Sequence, residues 1–84
     1  MNETWRCTTP TRGRLVVSCV GVVTNYELRS FVGRALGADF ATVQCEVTTE
    51  PCDVEVRWFG TDYAGDEPRR MQKRVRGADQ WRDA

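Results

Sequence analysis

Residues 24–59 read TNYELRSFVGRALGADFATVQCEVTTEPCDVEVRWF and hold most of the patterned apolar residues of an 84-residue chain. Thr24-Asn25-Tyr26-Glu27 fits the capping-box pattern T-x-x-E. In that motif the threonine hydroxyl accepts from the glutamate backbone N–H, and the carboxylate reaches back to the threonine N–H. Leu28, Phe31, Val32, Ala35 and Leu36 then recur at the spacing of one buried helical face, while Arg29, Ser30, Gly33 and Arg34 fall outside it. Gly37 suits the left-handed residue that closes a helix. The pattern predicts a helix from about Asn25 to Leu36.

Two alternating stretches follow. Ala41, Val43, Cys45 and Val47 are spaced by Thr42, Gln44 and Glu46; Cys52, Val54, Val56 and Trp58 are spaced by Asp53, Glu55 and Arg57. A period of two is that of half-buried strands. Thr48-Thr49-Glu50-Pro51 between them reads as a hairpin loop. The expected register sets Val47 opposite Cys52, Cys45 opposite Val54 and Val43 opposite Val56, with the helix lying on that apolar side.

Upstream, Glu3 to Thr9 reads as a short strand with Trp5, Cys7 and Thr9 on one side, and Pro10 to Gly13 as a turn. Arg14 to Val23 is the most β-prone stretch; it is apolar on both faces, which places it centrally in a sheet. Gly21 marks a local weakness in it. Downstream, Asp66 is a good N-cap, Glu67 and Pro68 suit a first helical turn, and Gly77 a stop. This predicts a second helix through Arg69 to Arg76, shallowly docked by Met71 and Val75. The tail 78–84 is polar and prone to fray, with Trp81 to pin it if a groove receives the ring.

The expectation is therefore one α+β domain over residues 1–84, in the order ββαββα. Its sheet is four-stranded and mainly antiparallel, with one main helix and a shorter C-terminal helix on one face. Without the first strand, the order βαββα resembles a ferredoxin-like arrangement lacking its last strand.

Net charge is zero but unevenly spread: residues 1–38 carry +3, residues 39–67 carry −7 and residues 68–84 carry +4. Eleven arginines against one lysine fit a GC-rich coding genome, bacterial or phage. The first residues lack the apolar run of a signal peptide, and the apolar stretch Leu15 to Val23 is interrupted by Ser18 and too short to span a bilayer. A cytoplasmic setting is expected. Cys7, Cys19, Cys45 and Cys52 then read as free thiols. Two alternatives stay open: a secreted domain with two disulfides in any of three pairings, and a zinc site using all four thiolates without a C-x-x-C.

The chain has no histidine, which removes Ser-His, Cys-His and histidine-base schemes, and it has no P-loop, G-x-G-x-x-G or G-x-S-x-G. No enzyme activity, cofactor or metal is expected. The leading reading is a small protein-interaction module, an inhibitor or adaptor whose partner is another protein. Its contact surface would be the acidic hairpin edge with the aromatic loop after it: Glu50, Asp53, Glu55, Arg57, Phe59, Asp62 and Tyr63. The alternative is a nucleic-acid accessory protein that sets the basic helix, with Arg69, Arg70, Lys73, Arg74 and Arg76, against phosphates. No run of the RNA-stacking sheet type is present. An exposed edge strand offers a route to a homodimer; membrane binding is not expected.

Overall fold

A computed structural model describes residues 3–21, 23–59 and 70–83; the side chains of Trp58, Phe59 and Arg70 lie outside that description. The chain runs β1 (Glu3–Thr8), β2 (Arg14–Val20), α1 (Asn25–Leu36), a single 3-10 turn (Phe40–Thr42), β3 (Gln44–Val47), β4 (Val54–Phe59), β5 (Arg70–Val75) and β6 (Arg82–Asp83). The strands form one six-stranded sheet in the order β3-β1-β2-β4-β5-β6. Neighbours are antiparallel except β2 and β4, which are parallel.

The helix is where the sequence places it. Thr24 Oγ1 accepts from the Glu27 N–H at 3.2 Å and the Thr24 N–H donates to Glu27 Oε1 at 2.8 Å, closing the capping box. Gly37 takes φ 71° at the other end. One position departs from the expected pattern. Gly33 is buried and Ala35 exposed, because the chain after Gly37 folds back over the helix and the Ala38 N–H bonds the Gly33 carbonyl at 2.8 Å. A Cβ on Gly33 would stand 2.8 Å from the Ala38 oxygen, so only glycine admits this close return.

The expected four-stranded sheet with two helices is not what forms, although the class is α+β overall. Two corrections account for the difference. First, β3 and β4 are not a hairpin: β1 and β2 lie between them. Val43, Cys45 and Val47 alternate in a way that fits any neighbour with the same period. The choice is made by β1, which sets Trp5 opposite Val47, Arg6 opposite Glu46 and Cys7 opposite Cys45. Asp53 commits β4 elsewhere, since its Oδ2 accepts from the Val16 N–H at 2.9 Å while its own N–H donates to the Val16 carbonyl at 2.8 Å.

Second, residues 70–75 are a strand, not a helix. Arg, Met, Gln and Lys favour helix locally, but β4 has a free edge and β5 fills it, from Val54 opposite Val75 to Phe59 opposite Arg70. Tertiary pairing overrides local preference. The first part of the expected second helix, including Asp66, Glu67 and Pro68, lies outside the described residues. The resulting order does not follow the ferredoxin-like arrangement.

The core sits on one side of the sheet. Cys7, Val17, Cys19, Val54 and Val56 pack against Leu28, Phe31 and Val32 of α1 and against Val43, with Trp5, Leu15 and Met71 partly buried around them. β2 is central, as its two apolar faces imply: Val17 and Cys19 enter the core and Val16 is buried on the opposite side. No described helix covers that opposite side. Among the described residues no helix is long and apolar enough to cross a membrane.

Candidate functional site

Of the charged residues singled out from sequence, Glu55 and Arg74 pair with each other, while Glu50, Asp53 and Arg57 are engaged with other residues of the domain. Glu50 accepts from Arg6 Nη1 at 2.7 Å and lies 3.8 Å from Arg14; Arg6 also pairs with Glu46 across β1 and β3. The Glu55 Oε1 receives both Nε and Nη2 of Arg74, at 3.1 and 3.0 Å. Arg57 donates twice to the Gln72 Oε1, each at 3.1 Å. These pairs form because the directly opposed residues in the β4–β5 register, Glu55 with Arg74 and Arg57 with Gln72, share one face. Trp81 joins them there, with the Arg57 and Arg74 guanidinium carbons 4.1 and 4.6 Å from its ring centre. The tail is thus pinned, on the helix-free face rather than in a groove. Asp53 is occupied with Val16.

The proposed partner surface is therefore divided. Glu50, Asp53, Glu55 and Arg57 are engaged within the sheet. Phe59 ends β4, where its backbone pairs with Arg70. Asp62 and Tyr63 lie outside the described residues, as does Arg69. The alternative basic set is divided too. Lys73 and Arg74 are neighbours on a strand and so point to opposite faces. Lys73 flanks Phe31, Arg34 and Ala35 of α1, whereas Arg74 meets Glu55. Arg76 is exposed in the turn after β5, its N–H bonded to the Asp53 carbonyl.

A different cluster stands free. Tyr26, on the first turn of α1, is 66% exposed, and Phe40, opening the 3-10 turn, is 39% exposed. Their rings meet edge to face, centres 5.3 Å apart at 66°. Arg29 lies over the Phe40 ring at 5.5 Å. Its Nε donates to the Val43 carbonyl at 3.0 Å and its Nη2 to the Ala41 carbonyl at 3.3 Å. Asp39 fixes the turn from the other side by accepting from the Ala41 N–H at 3.0 Å. Helix cap, turn and guanidinium together hold two exposed rings in one geometry.

Sequence reasoning passed over this cluster, and a signal was present. Tyr26 falls off the Leu28-Phe31-Val32 face, and Phe40 is out of phase with Ala41-Val43-Cys45-Val47. Aromatics that miss both buried periods are left facing water.

Nothing described resembles a chemical centre. Two open depressions of about 150 and 160 Å³ are lined by Phe31, Arg34, Ala35 and Lys73, and by Thr8, Gln44, Cys45 and Glu46. Each is well below the roughly 300 Å³ at which small-molecule sites begin. Among the described residues no group of His, Cys, Asp or Glu is placed to hold a metal. The four cysteines are free. Burial pushes the Cys19 thiol up to about 11, with the Glu3 carboxylate adding to the shift. No protein-family model, curated protein or solved structure matches the chain.

Proposed function

We propose that this domain is a non-catalytic protein-binding module, an adaptor or inhibitor, whose contact surface centres on Tyr26, Phe40 and Arg29. The carrying observation is the exposed edge-to-face pair of Tyr26 and Phe40, braced by an arginine that is itself anchored to two backbone carbonyls. Tyrosine, phenylalanine and arginine are enriched in protein interfaces. A rigid aromatic anchor loses little side-chain freedom on binding, so more of its contact energy appears as affinity. β3, which begins four residues after Phe40, has only one neighbour among the described strands, and its outer edge offers a second, backbone-mediated contact. This reading keeps the class expected from sequence and moves the surface away from the acidic segment, whose carboxylates at Glu46, Glu50, Asp53 and Glu55 are occupied.

The test is affinity capture with the tagged domain, followed by direct titration of the protein recovered. Tyr26→Ala with Phe40→Ala should weaken that binding at least about tenfold, or about 1.4 kcal/mol, with an unchanged melting temperature. Retained affinity in the double variant would remove the surface from consideration. Fluorescence anisotropy with labelled DNA and RNA separates the alternative. Micromolar binding that falls steeply with salt would favour a nucleic-acid partner instead.

A further inference from the structure

Of the four cysteines, two occupy directly opposed positions on neighbouring strands. Cys7 of β1 faces Cys45 of β3, whereas Cys19 faces Glu3 and Val56, and Cys52 precedes β4. The ladder decides how close the facing side chains come. The Thr48 N–H bonds the Thr4 carbonyl, continuing the β1–β3 register by one residue, so Thr4 and Thr48 are a hydrogen-bonded pair. Antiparallel pairs alternate, which makes Trp5 with Val47 and Cys7 with Cys45 the non-hydrogen-bonded pairs, where side chains are closest. At such a pair the Cα atoms are about 4.5 Å apart, inside the range a disulfide spans. The two sulfurs lie 2.7 Å apart, against about 2.05 Å for an S–S bond.

We propose that Cys7 and Cys45 are an oxidisable thiol pair that closes into a disulfide across β1 and β3 when a small-molecule disulfide such as oxidised glutathione is present. Cys7 is fully buried and Cys45 half-buried, so Cys45 is the entry point. Cys45 Sγ loses its proton to solvent and attacks one sulfur of the small disulfide. That S–S bond breaks, a thiolate leaves, and a mixed disulfide remains on Cys45. Cys7 Sγ then loses its proton and attacks Cys45 Sγ, releasing the second small thiolate. Two protein thiols are oxidised and one small disulfide is reduced to two thiols. Burial pushes both thiols upward, while the contact with Cys7 and the positive charge of Arg29 draw Cys45 back down. The step is therefore slow at neutral pH and quickens as pH rises toward 9. The bond would close the chain between residues 7 and 45 and staple the edge strand to its only described neighbour.

The test incubates the reduced full-length chain with excess oxidised glutathione at pH 8, then blocks free thiols and digests with trypsin and a glutamate-specific protease. The expected product has lost two of its four blockable thiols and carries Cys7 and Cys45 peptides joined to each other. It should melt at least about 5 °C higher than the reduced chain. Cys45→Ser, at the half-exposed position, should stay folded and form no bond within the chain, and its melting temperature should not respond to the oxidant. Four blockable thiols after oxidation, a link through Cys19 or Cys52, or a lowered melting temperature would each overturn the proposal.

Discussion

On the α1 side of the sheet, Cys7, Val17, Val54 and Val56 meet Leu28, Phe31 and Val32 in a continuous apolar layer. On the other side, adjacent strands are joined by Arg6 with Glu46 and Glu50, Glu55 with Arg74, and Arg57 with Gln72. The first side is held by burial, which is non-directional and needs only that apolar residues share a face. The second is held by pairs that exist in one register alone. Burial supplies most of the energy; the pairs add specificity of register between β1 and β3 and between β4 and β5.

That division can be broken from either side, and the largest effect belongs to the apolar face. Phe31→Ala should cost about 3–5 kcal/mol, a large part of what a domain this small has, read as a fall in the urea midpoint. A loss under about 1 kcal/mol would mean that α1 is not what closes the core. Gly33→Ala comes next. Its added methyl meets the Ala38 carbonyl, and the overpacking outweighs the helix propensity gained, leaving a net loss of about 1–2 kcal/mol. A stabilised variant would show that residues 38–40 yield, and that the helix face has slack the structure does not display. The smallest effect is on the charged face. A double-mutant cycle on Glu55→Ala and Arg74→Ala should give a coupling of roughly 0.5–1 kcal/mol that shrinks in high salt, since both side chains remain partly exposed. A coupling of several kcal/mol would place stability, and not only register, on that face.

The same division explains what could be read from the residues. The helix from Asn25 to Leu36 was legible to its caps because its signals are local: Thr24 and Glu27 at one end, Gly37 at the other. The first four strands were legible as strands, since alternation is local too, except that the expected start of the third, Ala41 to Val43, is a 3-10 turn and its cap, held by Asp39 and Arg29, and β3 begins at Gln44. Their partners were not, because Cys45 opposite Cys7 and Val54 opposite Val17 are facts about residues distant in the chain. The stretch 70–75 shows how such a choice is lost. Met71 and Val75 fit a helical stripe at i, i+4, and they fit one face of a strand equally well. Only the empty edge of β4 distinguishes the two. The Tyr26–Phe40 cluster needed the fold-back after Gly37, which no periodicity announces.

The parallel pairing of β2 with β4 carries a consequence for how the chain reaches its native state. The β1–β2 ladder joins strands close in sequence and can form quickly. Val17 can meet Val54 only after α1, the 3-10 turn and β3 have been looped out of the way, and β3 must travel to the far edge of the sheet while they are. The entropy of closing that loop is spent before any contact along the β2–β4 seam returns it. The β1–β3 pairing spans a comparable stretch of chain, so both long-range seams are expected to close after the β1–β2 ladder, and until they do, β1, β2, β3 and β4 each leave an edge unpaired. For a chain of this size the period of greatest risk of aggregation is the interval before these two long-range seams are assembled.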